Sequence, residues 1–154
     1  MAGISYKTTI NDADMREKLA ELVERMTNRE GFHKNVGEHL LNSTDERFDS
    51  ETAPDGSRWK TLSLVTRDLR MRKYGNAPIT ILRASGALRG SINMVASQND
   101  VRIGSALVYA AIHQLGGEAG RNRKVTIPAR PYLGLSPEDE TEIFAIAEDW
   151  LEVE

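Results

Sequence analysis

The stretch SINMVASQNDVRIGS, Ser91–Ser105, decides the fold class. Ile92, Met94 and Ala96 fall on alternate positions, as do Val101 and Ile103, and the polar run Gln98–Asp100 separates them. Successive side chains of a strand point to opposite faces, so each run has one apolar face, and the short polar turn joins them as an antiparallel hairpin. On both sides of this hairpin the hydrophobic period changes to that of a helix. The expectation is an α+β fold: a small antiparallel sheet with a central hairpin, helices packed around it, and a long C-terminal helix. A chain of 154 residues suits a single domain, 1–154, that buries its own core. It has no cysteine, so disulfides and thiolate metal sites are excluded. No apolar run is long enough for a membrane span and no signal peptide is evident, so no membrane partner is expected and synthesis is cytosolic.

Upstream of the hairpin, ILRASGALRGSI contains a short helix with Ser85 as its N-cap. Leu62–Tyr74 is a basic helix. Leu62, Val65, Leu69 and Met71 should face the core, leaving Arg67, Arg70, Arg72 and Lys73 in solvent. Pro54, Asp55 and Gly56 form a turn, and Trp59 should bury its indole to pin that loop. A longer helix runs through Phe32, Val36, Leu40, Leu41, Thr44 and Phe48. Its His33 and His39 are not spaced i, i+4 and read as surface or packing residues rather than metal ligands. Before it, Met15, Leu19, Leu22 and Met26 form an apolar stripe on a first helix capped by Asn11 or Asp12, and Gly3–Ile10 alternates as an edge strand.

Downstream, ALVYAAIHQLGG suits a short helix stopped by Gly116 and Gly117. The following EAGRNRK holds no core-forming residue, so 117–124 reads as a basic loop, and VTI as one more strand ended by Pro128 and Pro131. The last helix has the fullest start signal: Ser136 as N-cap, Pro137 at the first helical position, and Glu138, Asp139 and Glu140 at the positive end of the dipole. Ile143, Ile146, Ala147 and Trp150 make its buried face, with the carboxylates on the exposed one.

Charge is segregated along the chain. Residues 58–89 carry 8 basic and 1 acidic groups, whereas residues 135–154 carry 8 acidic and no basic ones. Two readings stay open: contact between copies, basic middle against acidic end, or mutual neutralisation within one fold. The basic middle, with Trp59 and Tyr74, also admits a nucleic-acid footprint, but no recognition helix, ribonucleoprotein motif or zinc module accompanies it, and the sequence pI is about 5.7. Catalysis has little support. Gly-x-Ser-x-Gly is absent, the glycine runs lack the lysine of a phosphate loop, and His113 has no evident nucleophile. No catalytic, cofactor-binding or metal site is expected.

Four segments in order carry a resemblance: PDGSRW with Pro54, Asp55, Gly56 and Trp59; LRASGAL with Leu82, Ser85, Gly86 and Leu88; YAAIHQLG with Tyr109, Ala110, His113, Gln114 and Gly116; and IPARPYLGLS over Ile127–Ser136. Their succession, over roughly residues 30–150, resembles the phage virion morphogenesis family, the tail-completion proteins of contractile-tailed phages including Mu-like ones. The resemblance implies a non-enzymatic structural protein of the virion, made in the host cytoplasm, that completes the tail at its head-proximal end or neck and permits head joining. It implies self-association into a ring, taken as hexameric, contact with other neck and tail proteins, and proximity to DNA in the channel. A head-side role in capsid assembly is the alternative, and a nucleic-acid-binding module the third. Under this reading Arg67, Arg70, Tyr109, His113, Gln114, Arg121, Arg123, Lys124 and Arg130 are interface candidates. Residues 117–124 become an arm that is mobile in the free subunit. His113, with Tyr109 and Gln114, satisfies buried backbone groups or meets a neighbour, and Arg130 pairs with the acidic last helix of its own or another copy. Pro54, Asp55, Gly56, Trp59, Gly86, Gly116, Gly117, Pro128 and Pro131 are the structural motif positions.

Overall fold

Helix α2, Glu30–Ser50, is the element against which the others are laid. In the computed structural model, which describes residues 7–8, 12–75 and 78–152, it packs on the hairpin and on the last helix. Val36, Thr44, Arg47 and Phe48 share its buried face. Its C-cap, Glu51, adopts the left-handed conformation that reverses the chain at a helix end (φ 57°).

The hairpin forms as its alternation predicts. Strand β1, Ile92–Ala96, pairs antiparallel with β2, Val101–Ser105, placing Met94 opposite Ile103 and Ala96 opposite Val101. The turn is closed by Ser97, whose backbone N–H donates to the Asp100 carbonyl (2.8 Å) and whose hydroxyl accepts from the backbone of Asn99 and Asp100. Helix α2 crosses this ribbon at Gly37. A methyl there would overlap the Met94 sulfur and come within 2.9 Å of Val101, so the glycine sets the depth of the crossing. Gly31 does the same for the Trp150 ring, 2.6 Å from where its Cβ would lie.

Helix α3, Leu64–Tyr74, starts at Ser63, whose hydroxyl accepts from Thr66 N–H (3.2 Å). Of the residues expected to face the core, Leu62, just before the helix, packs against it, but Val65, Leu69 and Met71 are exposed, and Thr66 and Arg70 are the half-buried side chains of α3. The Arg70 guanidinium donates to the Thr80 carbonyl (2.5 Å). Helix α1, Ala13–Thr27, also leaves its stripe outside, with Met15, Leu19 and Met26 each more than half exposed. It touches the body through its C-terminal end, where Arg25 donates to the carbonyls of Trp150 (3.0 Å) and Glu152 (2.6 Å). Asp12 stands at its N-cap position, but its carboxylate accepts from Arg16 rather than capping. The strand expected at Gly3–Ile10 lies outside the described residues, apart from Lys7 and Thr8, which are not in a strand.

Helix α4, Ala87–Gly90, is capped by Gly86 in the left-handed region (φ 74°), one residue after the expected Ser85. Helix α5, Ala110–Leu115, stops at Gly116, where two constraints meet: φ is 75°, and a Cβ would lie 2.7 Å from the Ala129 backbone nitrogen. The segment expected as an irregular loop and a strand is a ribbon. Strand β3, Gly117–Ala119, pairs antiparallel with β4, Val125–Ile127, around a short turn at Arg121–Arg123. Helix α6, Pro137–Leu151, closes the chain with a capping box between Ser136 and Asp139, and Ile143, Ile146, Ala147 and Trp150 are its less exposed side chains. The core holds Phe48, Trp59, Ile81, Leu88 and Tyr132, with Phe48 edge-on to Trp59 at 5.6 Å. The class is α+β, with two small antiparallel ribbons among the described residues.

Candidate functional site

Three of the four motif segments converge on Tyr132, and the site is built outward from there. The Trp59 indole N–H donates to the Pro131 carbonyl (2.7 Å), pinning the Pro54–Gly56 turn to the later chain as expected. The Tyr132 hydroxyl donates to the Ala110 carbonyl (3.0 Å). Gln114 completes the junction. Its Oε1 accepts from the backbone of Tyr132 (2.9 Å) and Leu133 (3.0 Å), and its Nε2 donates to the Leu133 carbonyl (2.8 Å). One side chain thus stands in for a strand partner, satisfying backbone groups that would otherwise be buried unpaired.

Arg130 is held in the same way and is 5 % exposed. Its guanidinium donates to the carbonyls of Lys60 (2.7 Å) and Thr61 (3.1 Å), and its backbone N–H to the His113 carbonyl (2.8 Å). Among the described residues it makes no ion pair with the last helix of its own copy. That role belongs to Arg47, buried on α2, which donates to the Asp139 carboxylate and to the carbonyls of Tyr132 (3.2 Å) and Gly134 (2.8 Å). His39 Nε2 lies 3.0 Å from the other Asp139 oxygen. Asp139, read as one of several surface carboxylates, is 2 % exposed. Burial pushes its carboxyl upward, but hydrogen bonds from Ser43 and Ser136 and the charge of Arg47 outweigh this and hold it below the ordinary carboxylate range. Its capping-box position was the one sequence signal that could have set it apart.

Beside these anchors opens a cleft of about 830 Å³ between the Lys60–Ser63 segment, the inner face of α3, α5 and β4. Leu62, Leu82 and Leu88 line it with apolar surface, and Lys60, Arg70 and Arg130 supply positive charge. Ser63, Thr66 and Thr126 add hydroxyls, and no carboxylate is among its lining residues. Glu51 acts on Arg130 from a distance, while its own oxygen accepts from Ile81 N–H (2.6 Å). Burial and the neighbouring Arg70 lower the Arg130 pKa from its ordinary value. Leu82 on the wall has φ 58°, a left-handed conformation that costs a branched residue about 1–2 kcal/mol. His113 faces Tyr109 edge-on at 6.0 Å, and its Nδ1 is buried without a hydrogen-bond partner. Burial first, and Arg130 second, hold its pKa below the ordinary value, so the neutral ring is favoured.

The cleft therefore gathers Arg70, Tyr109, His113 and Arg130 of the expected residues, together with Lys60, Thr66 and Thr126, which periodicity did not mark. Gln114 serves the junction behind it. Arg67 on α3 and Arg121, Arg123 and Lys124 at the ribbon tip are exposed and make no ion pair among the described residues. Part of the segregated charge is neutralised inside the chain: Arg89 pairs with Asp45 and Asp49, and Arg83 with Asp49. The outward carboxylates of α6, Glu138, Glu140, Glu142, Glu148 and Asp149, have no such partner among the described residues. No group of metal-ligating side chains is present among the described residues, and none of their helices is long and apolar enough to cross a membrane.

Comparison with known proteins places the chain. It is 31 % identical over 143 residues to Mu-like prophage FluMu G protein 1 of Haemophilus influenzae, covering 93 % of this chain and 91 % of that one. It is 40 % identical over 107 residues to the "Putative capsid assembly protein G" of Escherichia phage Mu, 68 % of each chain. Mu-like prophage FluMu G protein 2 of Haemophilus influenzae is 47 % identical over 66 residues, 43 % of this chain and 48 % of that protein's length. No solved structure matches the chain. The model of the phage virion morphogenesis family matches residues 10–152, and the chain belongs to that family.

Proposed function

We propose that this protein is a structural, non-catalytic component of phage particle assembly, acting at the neck or head-proximal end of the tail to complete it and permit head joining. The observation that carries this reading is the family match over residues 10–152, nearly the whole chain. The cleft supports it, because cationic groups, hydroxyls and an apolar lining without a carboxylate suit recognition of an acidic partner surface. In this role the protein works as a closed ring of copies, contacts other neck and tail proteins, and sits close to the DNA path. A head-side role is the second reading, favoured by the printed name of the phage Mu relative, which refers to capsid assembly. Locating the protein in separated heads and tails from an induced lysate tests both. Recovery with tails, and rings in negative-stain images of the purified protein, are the expected results. Recovery with heads or precursor capsids alone would replace the first reading by the second.

A further inference from the structure

Phe144 is the most exposed aromatic side chain among the described residues, at 72 %. It lies on α6 four residues from Glu140 and four from Glu148, so the three form one stripe along the helix surface. Ile143, Ile146 and Trp150 are turned toward the body, so this stripe faces away from it. Its two carboxylates are about 12 Å apart along the axis with the ring between them. Neither has an ion-pair partner among the described residues.

The cleft is the complement of this stripe in shape and charge. An apolar lining of Leu62, Leu82 and Leu88 can take an aromatic ring, and Lys60 and Arg70 beside it can take carboxylates, which the lining itself does not supply. We propose that the cleft of one copy receives the Glu140–Phe144–Glu148 stripe of a second copy. The proposal rests on the assembly reading, since it supplies the contact by which copies associate. The two halves lie on different parts of one chain, so the contact is heterologous and leaves a free cleft and a free stripe at the ends of every open chain. It propagates head to tail and ends only by closing into a ring. A nucleic-acid phosphate would satisfy the cationic groups but would use neither the apolar lining nor Phe144.

Sedimentation velocity of the full chain over a range of concentrations tests this, with Phe144→Ser as the stripe variant and Lys60→Glu as the cleft variant. Both positions are exposed, so the thermal midpoints should match the parent. The parent should form a defined oligomer, and each variant alone should associate at least about tenfold more weakly. An equimolar mixture should recover a dimer and nothing larger, because one intact cleft then meets one intact stripe. Glu140→Lys/Glu148→Lys keeps the aromatic and should behave as a second stripe variant. Variants that assemble like the parent, or a mixture without a dimer, would overturn the pairing while leaving ring assembly standing. A parent that stays monomeric at every concentration would overturn both. Binding of a short DNA duplex that is lost in the cleft variant but kept in Phe144→Ser, with self-association unchanged in both, would assign the cleft to phosphate and overturn the proposal.

Discussion

His113 shows how a residue that invites a catalytic reading acquires a different physics from its surroundings. Its ring is favoured in the neutral form by burial and by Arg130, so the folded chain binds that proton at lower pH than the unfolded chain does. The sign follows directly. Stability contributed by the neutral ring is complete above the ordinary histidine pKa of about 6.5 and is lost as pH falls below it, until the folded-state pKa is reached. The difference in urea midpoint between the parent and His113→Gln should therefore change between about pH 7.5 and pH 5 and be flat above that range. A constant difference would remove the titration from the account. Asp139 makes the opposite case, a charge kept because a buried partner needs it. Asp139→Ala leaves the Arg47 guanidinium buried without a counterion and should cost about 3–5 kcal/mol in chemical denaturation. Replacing Arg47 and Asp139 together by Met and Leu should cost much less, since no orphan charge remains.

Helix α3 separates what periodicity specifies from what it leaves open. Val65 and Leu69 recur at helical spacing, and by that rule they belong in the core. They lie outside, and the inward face carries Arg70, which reaches the backbone carbonyl of Thr80; no hydropathy pattern encodes a bond to a backbone oxygen. Leu69→Ser should therefore change stability by no more than about 0.5 kcal/mol, whereas Arg70→Ser should cost about 1–3 kcal/mol. Thermal melts of the two variants give the comparison, and a larger loss from Leu69→Ser would restore the periodicity reading. Elements whose signals are local were legible in the same sequence. The Ser91–Ser105 hairpin, the Ser136 start of α6, the Gly116 stop of α5 and the burial of Trp59 each follow from residues close in the chain. What escaped were contacts between distant polar groups. Arg130 finds the carbonyls of Lys60 and Thr61, and Asp139 finds Arg47, across stretches over which residue type gives no hint of pairing. The cleft was legible to the same extent: Tyr109, His113 and Arg130 came from the motif order, but Lys60 and Thr126 joined only when the chain closed.

For the whole molecule the distribution of charge matters more than its sum of −3. The face of α2 bearing Asp45 and Asp49 is covered by arginines of the same chain, while the outer carboxylates of α6 have no ion-pair partner among the described residues and the cationic cleft has no carboxylate in its lining; in the proposed pairing these two surfaces meet. Attraction between such surfaces is screened over about 8 Å at physiological salt and about 3 Å at 1 M. Association of the full chain should accordingly weaken several-fold as salt rises from about 0.05 to 0.5 M, with the thermal midpoint of the dilute protein nearly unchanged. Light scattering across that salt series measures it, and a salt-independent association would point to a purely apolar contact. The link between Arg47 and Asp139 has a consequence for how the protein is made. A ribosome delivers Arg47 long before Tyr132, Gly134 and Asp139, the groups that accept its protons, so the nascent chain holds an unmatched cation at the centre of its future core. Closure of that core must wait for the Tyr132–Asp139 stretch to emerge. A chain cut before Asp139 keeps that cation unmatched and should be digested by a protease more readily than the 154-residue chain, a difference that limited proteolysis measures.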